Sequence, residues 1–178
     1  MPKINIVATG HGSKTENYAG GISIQYNTFP EITKADKDRL AKLKKSVEIV
    51  EKLDRKIDLN GPCNKYFATL PRNNPFRHYW RDQTIFIDFS PSLTNGFYGA
   101  THSTLKDMCL SAWCIDKNNI WMIAATIVHE FAHIAGAPGG ASHAAEKAAD
   151  MCGFKPQYNP LILGTLENLG KYLEKLAA

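Results

Sequence analysis

The sequence predicts an α+β fold in which a small mixed sheet packs on a buried central helix, with further helices around them. Three features predict it. Thr84 to Phe89 (TIFIDF) alternates β-branched and aromatic residues, the pattern of a strand. Apolar residues recur at Leu40, Leu43, Val47, Val50, Leu53 and Ile57, the three-and-four spacing of one helical face. From Ile120 to Ala135 apolar residues surround nearly the whole circumference, as in a helix buried on all sides.

The remaining elements follow in chain order. Lys3 to Ala8 reads as a short strand ended by Gly10 and Gly12, and Gly20 to Tyr26 as a second, closed by Pro30. Thr33 stands as the cap of the amphipathic helix, with Asp36 three residues on, and Asn60-Gly61-Pro62 stops it. Residues 63 to 83, with Pro71, Asn73, Asn74 and Pro75, read as a loop. Within it Arg72, Arg77, His78, Tyr79, Trp80 and Arg81 form a basic-aromatic stretch, expected to be exposed. Ser90-Pro91 and Asn95-Gly96 mark turns, and Leu105 to Trp113 reads as a short strand or loop. Asn118 or Asn119 caps the apolar helix, and Gly136 takes the left-handed position at its end. Ser142 caps a further helix, which runs to about Cys152 and ends at Gly153. A last amphipathic helix begins near Thr165, with Leu166, Leu169, Leu173 and Leu176 on one face. No repeat, linker or low-complexity segment appears, so residues 1–178 read as one domain.

Hydrophobic residues are 44% and charged residues 21%, the balance of a folded globular chain and not of a disordered one. The net charge of +4 is modest. Its lysines and arginines concentrate between Lys34 and Lys56, interleaved with acids, as on a solvated helix face, so nucleic acid is not an expected partner. No apolar run is long enough to span a bilayer. Met1 to Gly10 lacks the apolar stretch and cleavage site of a Sec leader, so the chain reads as a mature protein or as cargo of a route that needs no signal peptide, and its localisation stays open. The four cysteines, Cys63, Cys109, Cys114 and Cys152, match no zinc-ribbon or redox spacing. Either Cys109 and Cys114 bridge the short segment between them, or all are buried thiols.

The chemistry concentrates in Val128-His129-Glu130-Phe131-Ala132-His133, a string of the form H-E-x-x-H inside the apolar helix. Positions i and i+4 lie one turn apart on one face, so two imidazoles can converge on one tetrahedral zinc. Glu130, next to the first ligand, reaches the metal-activated water rather than the metal. These three are the only strongly polar side chains of that helix, and burying them without a partner is costly. The competing reading is a hydrogen-bonded pair of core histidines.

A catalytic zinc takes three protein ligands and leaves one position open. The next helix offers His143, Glu146 and Asp150, spaced to share one face. Ala144, Ala145, Ala148 and Ala149 around them permit close approach, and the short return loop predicts antiparallel packing. Glu146 is the expected third ligand and His143 the alternative.

H-E-x-x-H on a buried helix resembles the signature of the zincin metallopeptidases, and Glu146-Lys147-Ala148-Ala149-Asp150 resembles the gluzincin E-x-x-x-D pattern. That resemblance implies a zincin-like fold, one catalytic Zn2+ held by His129, His133 and Glu146, and Asp150 behind His129 as an orienting acid. The segment also resembles the deuterolysin-like aspzincins, whose third ligand opens the next helix, the place of His143. Glu146 then stands where their catalytic Tyr would be, a departure from that pattern. The metzincin third His would fall on Gly139, which excludes that family. The likeness covers about residues 118 to 153, and the zincin arrangement makes Thr84 to Phe89 the candidate sheet edge for an extended substrate.

The implied activity is hydrolysis of peptide bonds in a peptide or protein substrate, with Glu130 as general base. Tyr98, His102, His143 and Tyr158 are the candidate oxyanion donors. Two other readings stay open. A compact, basic zincin resembles a secreted bacterial effector or toxin acting on cell-wall peptides, for which an inhibitor or immunity protein is the expected partner. A non-catalytic zinc-binding module is the other, though it has no use for Glu130.

Overall fold

The computed structural model describes residues 2–6, 14–18, 22–26, 34–90, 98–102, 104, 106–139 and 142–154. The amphipathic stripe forms α1 (Lys34–Lys56), which buries Leu43, Val47, Val50 and Asp54. The expected cap Thr33 lies outside the described residues, as do the expected C-terminal helix and Tyr158. Among the described residues no helix is long and apolar enough to cross a membrane.

Six helices and two sheets make up the described fold, so the α+β class holds. The larger sheet contains β1 (Lys3–Ile6), β4 (Phe86–Ser90), β5 (Gly99–His102) and β6 (Asp107–Ser111) in the order β1-β4-β6-β5. β1, β4 and β6 run parallel, and β5 closes one edge antiparallel to β6. β2 (Lys14–Tyr18) and β3 (Ile22–Tyr26) pair antiparallel as a separate hairpin. The sequence anticipates β3 but not β2.

Ile87 and Phe89 of β4 with Met108 and Leu110 of β6 point to one face and join the main core. By the β5–β6 register, Gly99 and Thr101 share that face. On it lies α5 (Ile120–Ile134), capped by Asn119, whose side chain accepts from the Trp121 and Met122 amides at 3.0 and 2.9 Å. Ile123, Ile127, Val128, Phe131 and Ile134 are fully buried, as the all-round apolar pattern requires.

The fold corrects three expectations. Thr84 to Phe89 forms β4, but as an interior strand between β1 and β6, not a sheet edge. It is buried on both faces from Ile87 to Ser90, and strand propensity carries no information about neighbours. The edge beside the central helix is β5.

The stretch 63 to 83 is not a loop. It holds α2 (Pro62–Thr69) and α3 (Phe76–Arg81). Pro62 occupies the first helical turn and Pro75 the cap position, where proline starts a helix rather than breaks one. The aromatic residues of this stretch are core, not surface. Phe67 meets Phe76 edge-on at 5.1 Å, and Trp80 lies 5.5 Å from Phe131 of the central helix. The basic residues are used structurally: Arg77 Nε and Arg81 Nε both donate to the buried Asp54 carboxylate, at 3.0 and 3.2 Å.

The cysteines follow the buried-thiol expectation at two positions only. Cys63 and Cys152 form a disulfide across 89 residues, while Cys109 and Cys114 are buried free thiols. Cys109 is buried on the face of β6 opposite to Met108 and Leu110, and Cys114 sits in α4 (Ala112–Lys117), a helix the sequence does not announce. Ser111 caps it, accepting from the Cys114 amide at 3.0 Å.

Candidate metal centre

His129 and His133 stand one turn apart on α5, half-buried, with Nε2 atoms 3.2 Å apart. Two nitrogens at about 2.05 Å from one ion, separated by a tetrahedral angle, lie about 3.3 Å apart. The separation also suits a hydrogen bond between the rings, so the rest of the environment decides which reading fits.

The end of α5 supplies one part of it. Gly136 adopts φ 96°. The Gly136 amide donates to the His133 carbonyl at 2.9 Å and the Ala137 amide to the Ala132 carbonyl at 2.8 Å, a Schellman closure. This turn brings the Ala137 carbonyl oxygen to 2.9 Å from His133 Nδ1. A carbonyl accepts only, so Nδ1 carries the proton and Nε2 presents its lone pair towards His129, the tautomer a metal ligand needs.

Glu130 supplies the next part. Its side chain turns from the helix onto β5, only 4% exposed. The Thr101 hydroxyl lies 2.6 Å from Glu130 Oε2 and 3.2 Å from the Glu130 carbonyl oxygen. Oε1 lies over Gly99, where an added Cβ would come within 2.7 Å of it. Burial pushes the Glu130 carboxyl above its ordinary range and the Glu146 charge adds to this, while Thr101 and His133 oppose it. His129 moves the other way, down to about 4, through burial first and the neighbouring His133 second, against the pull of Glu146. His129 is therefore a neutral imidazole near neutral pH, which is the form a metal ligand takes.

α6 (Ala144–Ala149) packs against α5 and carries Glu146, half-buried and close enough to act electrostatically on both His129 and Glu130. The helix begins one residue later than its sequence suggests. His143 sits at the cap position in the left-handed conformation, φ 48°, and is exposed. It therefore lies outside the helical face on which Glu146 stands, and the expected alignment of His143, Glu146 and Asp150 is corrected. Asp150 closes α6 four residues after Glu146, on the same face, and opens a π-turn, Asp150–Phe154, that ends the described chain.

Among the described residues no three His, Cys, Asp or Glu side chains close into a complete metal cage. The structure thus brings His129 and His133 together, with Glu146 in the second rank. The tautomer of His133 and the spacing of the pair are compatible with a divalent cation, for which two ligands stand in place.

The other expected donors disperse. His102 projects from the face of β5 opposite to Thr101, and Tyr98 is 38% exposed and stacked on Trp113 at 4.9 Å. The sequence reading misses Gly99, Thr101 and the Ala137 carbonyl. No motif marks the first two, and a backbone carbonyl has no sequence signal at all.

No protein-family model matches this chain, and no curated protein or solved structure matches it.

Proposed function

We propose that the protein is a zinc-dependent metallopeptidase of zincin type. The observation that carries this is the His129–His133 pair, whose Nε2 atoms converge at 3.2 Å beside the buried Glu130 carboxylate. His129 and His133 hold the ion, and Glu146 completes the set by rotating inward from α6. Glu146 is favoured over His143 because it bears on His129 electrostatically, whereas His143 is exposed ahead of the helix. A zinc ion bound there supplies Lewis acidity, acidifying water and polarising a carbonyl.

Glu130 does the proton work. A carboxyl raised by burial is a better base than an exposed one, and it takes a proton from the attacking water and returns it to the leaving amine. Asp150, one turn beyond Glu146, orients a ligand. The strand that ends the sheet on the α5 side is β5, which also meets β2, and an extended peptide pairing along it passes the carboxylate that β5 seats. Substrates are peptides or proteins. Cell-wall peptides, with the role of a secreted effector countered by an immunity protein, form the narrower class.

The test is zinc content and hydrolysis together. Wild type should retain one zinc per chain through gel filtration, and His129→Ala, His133→Ala and Glu146→Ala should lose it. Glu130→Gln should keep zinc and lose turnover, measured on casein and on peptidoglycan fragments side by side. Zinc retained in both histidine variants, or undiminished hydrolysis by Glu130→Gln, would overturn the proposal.

A further inference from the structure

We propose that Thr101 is a positioning residue that aims the Glu130 carboxylate, and that Gly99 is the opening which lets the carboxylate lie there. The inference deepens the peptidase reading and rests on it for its kinetic consequences.

Thr101 is 4% exposed and sits on β5, a different element from the helix that carries the histidines. Its hydroxyl has one proton and two acceptors nearby, Glu130 Oε2 at 2.6 Å and the Glu130 carbonyl oxygen at 3.2 Å. The shorter contact goes to the charged group, the stronger acceptor. That proton therefore goes to the side chain of the base, and the backbone carbonyl is its alternative acceptor. Two residues back along β5, on the same face, Gly99 leaves room for Oε1. With Oε2 engaged by Thr101, Oε1 is the oxygen left to take a proton from water and hand it to the nitrogen as the C–N bond breaks. Threonine is an ordinary β-branched strand residue, so the argument for Thr101 rests on its contact with Glu130. Gly99 is the unusual choice, since glycine in a strand forfeits packing.

The arrangement differs from plain satisfaction of a buried acid. Such a bond would contribute to stability and leave turnover alone once the chain is folded. A positioning bond separates the two, because small displacements of a base cost rate without affecting substrate binding.

The experiment compares Thr101→Val, Thr101→Ser and Gly99→Ala with wild type, all zinc-loaded. In crystal structures, the Glu130 carboxylate should rest on the β5 hydroxyl both in wild type and in the Thr101→Ser variant. It should leave that seat in Thr101→Val and Gly99→Ala, with His129 and His133 unmoved. With quenched fluorescent peptides, kcat should fall about ten- to a hundredfold in Thr101→Val and recover in Thr101→Ser, at unchanged zinc content and KM. Gly99→Ala perturbs the other oxygen and should lower kcat by itself, which keeps the test decisive should the valine variant fail to fold. A carboxylate that keeps its place without the hydroxyl, or a kcat equal to wild type in Thr101→Val, overturns the inference. If zinc-loaded wild type cleaves no peptide, the peptidase reading fails, and the crystallographic comparison alone decides whether Thr101 positions Glu130.

Discussion

The carbonyl oxygen of Ala137 lies 2.9 Å from Nδ1 of His133, so the turn that ends the central helix also orients one of its histidines. That contact depends on Gly136, whose φ of 96° strains any other residue and whose added Cβ would meet Pro71 at 3.0 Å. Gly136→Ala is therefore expected to shift the Ala137 carbonyl and weaken zinc binding about ten- to a hundredfold, the usual cost of losing an orienting partner. Competition against a chelator of known affinity measures it. Unchanged affinity would mean that the turn does not hold the ring.

Acid should destabilise the metal-free protein through His129. Its folded pKa of about 4 lies below the ordinary histidine value, so between these values the unfolded chain binds a proton that the folded chain refuses. The stabilisation is complete above about pH 6.5 and is lost as the pH falls towards about 4, a change on the order of 3 kcal/mol. Urea unfolding of chelator-treated protein across this window should show the decline. His129→Leu should lack that component, and an equal slope in the variant would remove His129 as its source.

What can be read from the sequence is what neighbouring residues settle among themselves. One helical turn fixes the relation of His129 to His133, and the apolar surroundings fix their burial. The amphipathic stripe of α1 is equally local. Features that depend on tertiary placement escape. β4 has the residues of a strand, yet only the pairing order makes it interior. β5, Gly-Ala-Thr-His, carries almost no strand signal and is held by β6, which is why the seat of Glu130 is invisible in the sequence. The third ligand is ambiguous there because a one-residue change in where α6 starts removes His143 from the face it shares with Glu146. Pro62 and Pro75 look like breakers in a stretch whose aromatic residues go into the core.

Thiol chemistry should separate the cysteines into two classes. Cys109 and Cys114 are fully buried, and desolvation pushes the Cys114 thiol up to about 12, so neither is a ready nucleophile in the native state. A thiol reagent should find essentially no reactive group in the native protein, two after denaturation, and four after denaturation with reduction, two of these coming from Cys63–Cys152. That disulfide joins α2 to the π-turn behind α6, whose other end is held where the Tyr66 hydroxyl donates to the Ala144 carbonyl at 3.1 Å. Closing so long a loop contributes about 4.6 kcal/mol in the chain-entropy account. Cys63→Ala with Cys152→Ala should therefore lower Tm and loosen α6, weakening zinc retention through Glu146. Four reactive thiols in denatured, unreduced protein would rule out the pairing.

Asp54 should matter for the fold and not for the metal. Its carboxylate is 2% exposed near the end of α1 and receives Arg77 Nε at 3.0 Å and Arg81 Nε at 3.2 Å, while Arg77 also caps the Asp54 and Ile57 carbonyls. Asp54→Ala leaves the part-buried Arg77 guanidinium without its acid, a loss of about 3–5 kcal/mol. Arg81→Ala should cost less than about 1 kcal/mol, because the Arg81 side chain is 60% exposed and water screens its half of the network. Denaturant unfolding of the two variants should reproduce that inequality, and both should bind zinc like wild type while folded. If Arg81→Ala proved as damaging as Asp54→Ala, Arg77 could not be the partner that anchors α3 to α1.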